Sequence, residues 1–106
     1  MNKYIEHEEE LVVIYPTHPG TLLKKEVLPA RKVSGVALAQ AIGASRPDVT
    51  NMLNGKQPVT PWLAARIEAA IGFPAELLLR MQERHDLAAI RREKADQLAA
   101  IPRIAA

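Results

Sequence analysis

Residues 38–56 read LAQAIGASRPDVTNMLNGK, and this stretch decides the fold. Apolar Leu38, Ala39 and Ile42 recur at helical spacing and stop at Gly43, whose freedom to adopt a positive φ suits a chain reversal. Only two residues separate that glycine from a second helical stripe, which consists of Val49, Met52 and Leu53. Two short helices joined this tightly must cross at a steep angle, as they do in a helix-turn-helix motif.

The second of these helices presents a polar face. Ser45 is expected to cap it, and Pro47 stands in its first turn, where a missing N–H costs nothing. The free N–H groups at such a helix start favour a phosphate, and side chains opposite Val49 and Leu53 suit a major groove. The candidate DNA contacts are Ser34, Ser45, Arg46, Pro47, Asp48, Thr50, Asn51, Asn54 and Lys56.

Several of these residues also have a purely structural interpretation. Arg46 could be a solvated charge at a helix start, and Asn54 with Gly55 could serve only to stop the helix. Asp48 is better explained by the helix dipole, which favours an acid in the first turn, than by base recognition. The charged run at residues 91–94 is more typical of a solvated face than of a second DNA contact.

Further helix signals surround the motif, with proline at the first turn and glycine or proline past the end. They predict helices over residues 19–29, 60–72 and from 74 toward 95 or beyond, until Pro102. Thr17 or His18 would cap the first of these, and Ser34 would cap the helix that precedes Gly43.

The length of 106 residues supports one core with short extensions. We expect an acidic tail and extended arm at 1–16, a helix-turn-helix domain at 17–95 and a tail at 96–106. Residues 1–10 contain four glutamates and one lysine, Lys3, so the rest of the chain is more basic than the net charge of +2 indicates. A basic domain suits a polyanionic partner. Residues 11–15 are β-prone and would lie on the core or pair with another chain.

The composition also argues against several classes of protein. Cysteine is absent, and the apolar runs are too short to cross a bilayer, so a cytoplasmic location is expected. The histidines His7, His18 and His85 are too scattered in the sequence to suggest a metal site, and no cofactor is expected. Neither a Ser, His and Asp group at a catalytic spacing nor a glycine-rich phosphate loop occurs, so the chain is predicted not to be an enzyme.

The last helix carries more apolar residues than one face can bury. Leu77, Leu78 and Leu79 are consecutive and spread over roughly 200° of the helix surface. A homodimer would cover the second face, and two recognition helices about one helical turn of DNA apart would read a full operator. The predicted interface consists of Leu77, Leu78, Leu79 and Met81. The alternative is that residues 11–15 form the dimer.

An ordered set of short motifs carries a family resemblance. In chain order they are His18-Pro19-Gly20, Leu38-Ala39, Ser45-Arg46, Leu53-Asn54-Gly55-Lys56, Thr60-Pro61, Met81-Gln82 and Asp86-Leu87. The chain resembles the lambda-repressor-like, or Xre, helix-turn-helix family, and more narrowly the HigA-type antitoxins. The resemblance implies an all-α, five-helix bundle that binds its own promoter as a homodimer. It also implies a ribonuclease toxin of the HigB or RelE type as partner.

The sequence departs from the family pattern at a few positions. Pro47 and Asp48 stand where recognition helices often carry phosphate-friendly residues, and His85 replaces a more usual aromatic. Trp62 replaces an expected acid and would be either a half-buried edge of the core or an exposed anchor.

Two other functions stay open at this point. One is a solitary Xre-type repressor without a toxin, which the absence of an adjacent toxin reading frame would favour. The other is a pure protein-interaction domain, which failure to bind any promoter fragment would favour.

Overall fold

The computed structural model describes residues 17–105, which form six helices and contain no β-strand. Helix α1 consists of the consecutive segments Pro19–Leu22, Leu23–Val27 and Leu28–Ala30. It is followed by α2 (Gly35–Ile42), α3 (Arg46–Leu53), α4 (Pro61–Ile71), α5 (Ala75–Glu93) and the short α6 (Ala95–Ala99). The predicted all-α helix-turn-helix fold is confirmed, whereas the predicted tail and arm at 1–16 lie outside the described residues.

Short polar side chains begin the helices where the sequence predicts. The hydroxyls of Ser34, Ser45 and Thr60 each accept a hydrogen bond from the backbone N–H three residues on, at 3.0, 3.2 and 3.3 Å. Gly43 and Gly72 then end α2 and α4 at φ of 69° and 75°. Each hydroxyl cap accepts from an N–H that the helix leaves unpaired, and each glycine cap donates its own N–H to a carbonyl of the last turn, so these boundaries follow from local chemistry.

Helix α1 does not end at Pro29, as the sequence suggested, but continues to Ala30. Proline lacks an N–H and its ring collides with the carbonyl four residues earlier in an α-helix. The middle segment of α1 is a π-helix in which the Leu28 N–H bonds to the Leu23 carbonyl, five residues back. This wider turn ends at Val27, two residues before the proline, and the helix continues past Pro29 without a break.

One aliphatic core lies between the helices. Helix α1 packs on α3 and α5, α2 packs on α3 and α4, and α4 packs on α5. Ala39 is buried on α2, where a small side chain lets α3 approach closely. The largest fully buried side chains are Leu23, Leu38, Met52, Val59, Ile67 and Leu78, with Pro19 beside them.

Two of the four residues predicted for the dimer interface on α5 are buried within the single chain. Leu78 is 0% exposed and Met81 is 6% exposed, so both side chains already belong to the interior of the single chain. Leu77 and Leu79 are half-buried, and Leu79 packs against the core. The exposed large apolar side chains of the C-terminal region are instead Leu87, Ile90, Leu98, Ile101 and Ile104.

The last helix is also shorter than the sequence suggested. Lys94 leaves the helical conformation at φ −115° and ψ 25°, so α5 ends at Glu93 and α6 begins one residue later. Within residues 17–105 no helix has the length and apolar character needed to cross a membrane.

Candidate DNA-binding surface

Helix α3 separates a buried stripe from an exposed polar face. Val49, Met52 and Leu53 are buried, at 2%, 0% and 8% exposure. Around the rest of the helix, Asn51 is half-buried and the exposed residues are Arg46, Pro47, Asp48 and Thr50. The predicted candidates of this helix therefore share a surface that the core does not use, which is the arrangement a recognition helix requires.

The two candidate serines, Ser34 and Ser45, lie at the starts of α2 and α3. Both are exposed, and each hydroxyl oxygen accepts a backbone N–H as a helix cap. A serine hydroxyl also carries one hydrogen of its own to donate. Capping and phosphate contact are thus compatible at the same side chain, because one uses the oxygen and the other uses the proton.

The turn after α3 carries Asn54 and Lys56, which are both exposed. Asn54 is the C-cap of α3, and Gly55 follows with a φ of 75°. The Lys56 N–H then donates to the Asn51 carbonyl at 2.8 Å, which folds the turn back onto the helix. A contact that the sequence did not predict joins this turn to α1, where Lys24 Nζ donates to Asn54 Oδ1 at 2.6 Å.

The C-terminal end of α3 rests directly on the start of α1. A Cβ placed on Gly20 would collide with the Met52 carbonyl oxygen, so the two backbones approach as closely as only glycine permits. His18 fills the adjoining space, and its ring lies 3.6 Å from the position that a Cβ on Gly55 would occupy. Helix α3 is therefore supported by direct backbone packing against α1.

His18 connects three parts of the fold. Its Nδ1 accepts the Gly20 N–H at 2.9 Å and so caps α1, as the sequence allowed. Its ring meets His85 of α5 edge to face, with 5.2 Å between the ring centroids. Burial, with a smaller effect of the nearby His85, lowers the pKa of His18 below its usual 6.5, against the opposing effects of a Gln57 backbone hydrogen bond and Asp86.

His18 and His85, which are distant in the sequence, are in contact in the fold. No group of three or more histidine, cysteine or acidic side chains is placed to hold a metal within residues 17–105. The two imidazoles act here as packing and capping groups.

Two further side chains hold the surface in place and were not predicted. The buried Gln82 of α5 accepts the Val59 N–H at 2.8 Å and donates to Asp86 at 3.0 Å, which fixes the loop between α3 and α4. Arg66 of α4 donates to the Ile42 carbonyl at 3.0 Å and so satisfies the last turn of α2. These pairs are 23 and 24 residues apart, and no local pattern marks them.

Trp62 is exposed, which excludes the alternative of a half-buried core edge. Its side chain is 68% exposed. The Arg66 guanidinium lies 5.0 Å from its ring centroid, within the range of a cation–π contact. The ring therefore covers the arginine that caps α2, on the outer side of α4.

Comparisons with known proteins agree with this architecture. No protein-family model matches the chain. The antitoxin HigA-1 of Vibrio cholerae is 36% identical over 72 residues, which cover 68% of this chain and 68% of that protein. Among solved structures, the antitoxin GraA is 29% identical with a TM-score of 0.77 and covers 84% of this chain and 97% of its own.

A second solved structure shows a relative together with DNA. The Pseudomonas aeruginosa antitoxin HigA with the higBA promoter is 25% identical, with a TM-score of 0.78, over 85% of this chain and 99% of that one. Sequence similarity and backbone similarity thus point to the same group of proteins. The chain belongs to the HigA antitoxin family.

Proposed function

We propose that this protein is a DNA-binding autorepressor, which places α3 in the major groove of the promoter of its own operon. The observation that carries the proposal is the polar face of α3, which is exposed at Arg46, Asp48 and Thr50. The relative solved with its promoter has the same backbone arrangement, which supports the same use of the surface. The role is that of a binding protein and requires no catalytic residue or cofactor.

The proposal includes a homodimer on a pseudo-palindromic site. A single recognition helix reads only a few base pairs, whereas two helices held about one helical turn apart read an operator. Exposed Leu87 and Ile90 on α5 are apolar surface that a second copy would remove from water.

The second half of the proposed function is neutralisation of a ribonuclease toxin of the HigB or RelE type. Membership of an antitoxin family supports it. Co-expression with the product of the neighbouring reading frame should yield a stable complex and restore growth that the toxin alone arrests. If no toxin reading frame adjoins the gene and the protein restores no growth, it is a solitary repressor.

Substitutions on α3 test the DNA-binding half. We expect Arg46→Ala and Asn51→Ala each to weaken the promoter site by about 1 to 3 kcal/mol more than random DNA, because a base contact is lost. Lys56→Ala should weaken both DNAs about equally, because a phosphate contact carries no sequence information. The measurement is competition binding with a promoter duplex and a random duplex of equal length.

The salt dependence of DNA affinity gives an independent test with the same samples. Affinity of the unaltered protein should fall on the order of a hundredfold or more between about 50 and 200 mM salt, because neutralised phosphates release counterions. A flat salt response would contradict the electrostatic part of the proposal. If Arg46→Ala lowered promoter and random binding by the same factor, Arg46 would be a phosphate contact instead.

A further inference from the structure

Lys24 lies on α1, outside the helix-turn-helix, and yet its ammonium group reaches the end of the recognition helix. Its Nζ donates to Asn54 Oδ1 at 2.6 Å across 30 residues of sequence. Both side chains are exposed. Because the amide is neutral, this pair carries a net charge of +1, whereas an ammonium paired with a carboxylate would form a pair of zero net charge.

The contact fixes which way the Asn54 amide points. An ammonium group has only donors, so it attracts the amide oxygen and repels the amide NH₂. With Oδ1 held by Lys24, the two Nδ2 hydrogens face away from the ammonium group. Asn54 therefore presents donors to the solvent side of the turn.

The backbone beneath this pair leaves little freedom for it to separate. Gly20, one turn before Lys24, touches the Met52 carbonyl so closely that a Cβ would not fit, and Met52 is two residues before Asn54. The Gly55 N–H also bonds to the same Met52 carbonyl at 3.0 Å. Lys24 and Asn54 thus belong to two backbone segments that are in direct contact.

We propose that Lys24 and Asn54 form a phosphate-binding pair at the C-terminal end of α3. The ligand is a DNA backbone phosphate, which accepts from Asn54 Nδ2 and from the remaining N–H groups of Lys24. Lys24 is then both a charge contact and a positioning residue, because it turns the amide donors of Asn54 outward. The pair rests on the DNA binding proposed above and adds a residue from α1 to that surface.

The test compares Lys24→Met with Lys25→Met, which removes the same charge from a neighbouring exposed position. Binding is measured by fluorescence anisotropy over a salt series. The probes are a duplex from immediately upstream of the reading frame and a random duplex of equal length. Lys24→Met should weaken both duplexes by about tenfold and reduce the salt slope by about one per protomer, since a phosphate contact is lost.

A double-mutant cycle separates the positioning role from simple charge. The loss caused by Lys24→Met should be about twofold or more smaller in an Asn54→Ala background, because the amide it orients is no longer there. Equal losses in both backgrounds would overturn the pair. Equal affinities of Lys24→Met and Lys25→Met would overturn any special role of Lys24.

A measurement without DNA keeps this inference distinct from the proposed function. In ¹H–¹⁵N NMR spectra, the side-chain NH₂ signals of Asn54 should shift in Lys24→Met and stay in place in Lys25→Met. Unchanged signals in both variants would refute the positioning role, whether or not DNA binds. Failure of the unaltered protein to bind either duplex would refute the proposed function and the phosphate ligand together. The NMR result would still test whether Lys24 orients the Asn54 amide.

Discussion

At the scale of single residues, the hydrogen bond that caps α1 depends on the protonation state of His18. Its Nδ1 serves as an acceptor for the Gly20 N–H, so this nitrogen must carry no proton. Protonation would replace the acceptor by a donor and set two N–H groups against each other. The ring is buried beside His85, which makes a charge there unfavourable as well.

We therefore predict that the protein loses stability as the pH falls below the usual histidine value of 6.5. The pKa of His18 is lowered in the folded state, so the unfolded chain binds the proton more readily than the folded chain does. The stabilising effect is complete above the unfolded pKa and is lost as the pH decreases through the folded pKa. Urea unfolding at about pH 7.5 and about pH 5.5 measures the difference.

The matched variant is His18→Asn, whose amide oxygen can still cap α1 but does not titrate. Its free energy of unfolding should change less with pH than that of the unaltered protein. An identical pH dependence in both proteins would show that His18 does not titrate in this range.

The residues also show what a sequence can and cannot reveal. Ser34 and Ser45 were predicted as caps and Thr60 as the start of a helix, because each bonds to a backbone group three residues away and the signal is therefore local. The bond between Lys24 and Asn54, and that between Gln82 and Val59, join residues that only the packed fold brings together. The exposed face of α3 was predictable from helical periodicity, whereas its supports from α1, α4 and α5 were not.

At the scale of helices, α1 ends differently from α2 and α4. Lys32 follows it with a φ of 56°, and the Val33 N–H bonds back to the Leu28 carbonyl at 3.0 Å. This hydrogen-bond pattern ordinarily places glycine at the left-handed position. Gly43 and Gly72 occupy the corresponding positions after α2 and α4, with open space where a Cβ would lie.

We predict that Lys32→Gly raises the free energy of unfolding by about 0.5 to 1 kcal/mol, because relief of the left-handed strain exceeds the added entropy of the unfolded chain. Lys32→Ala, which removes the charge but keeps the Cβ, should lie within about 0.5 kcal/mol of the unaltered protein. The converse change, Gly43→Ala, should lower stability by about 1 kcal/mol through backbone strain alone. Chemical denaturation measures all three, and a Lys32→Gly variant no more stable than Lys32→Ala would contradict the argument.

At the scale of the whole molecule, the C-terminal half of α5 and the segment after it expose apolar side chains that the core does not cover. Leu87 and Ile90 lie three residues apart on one face of α5, at 38% and 44% exposure. The sequence placed excess apolar surface on this helix at Leu77, Leu78 and Leu79, but the core buries Leu78. Helical periodicity alone could not distinguish the buried Leu78 from the exposed Leu87, because both are leucines on the same helix.

We predict that Leu87→Lys combined with Ile90→Lys converts a dimer to a monomer in sedimentation equilibrium, because charges would be buried at the interface. Helical content by circular dichroism should stay unchanged, since both positions are exposed in the single chain. Val36→Lys on α2, with a starting exposure of 39%, is the matched control and should remain a dimer. A dimer that survives the double change would place the interface elsewhere, and deletion of residues 1–15 would then test the predicted N-terminal arm.

The separation of the two sides of α3 has a consequence for how such proteins diverge. Val49, Met52 and Leu53 hold the helix in the fold, and none of them is available to the solvent. Arg46, Thr50 and their exposed neighbours contribute little to the core, so they are free to vary at small cost in stability. If α3 binds DNA as proposed, a duplicated gene can therefore acquire a new operator through a few substitutions on this face, and the two copies then bind different promoters while they keep the same fold.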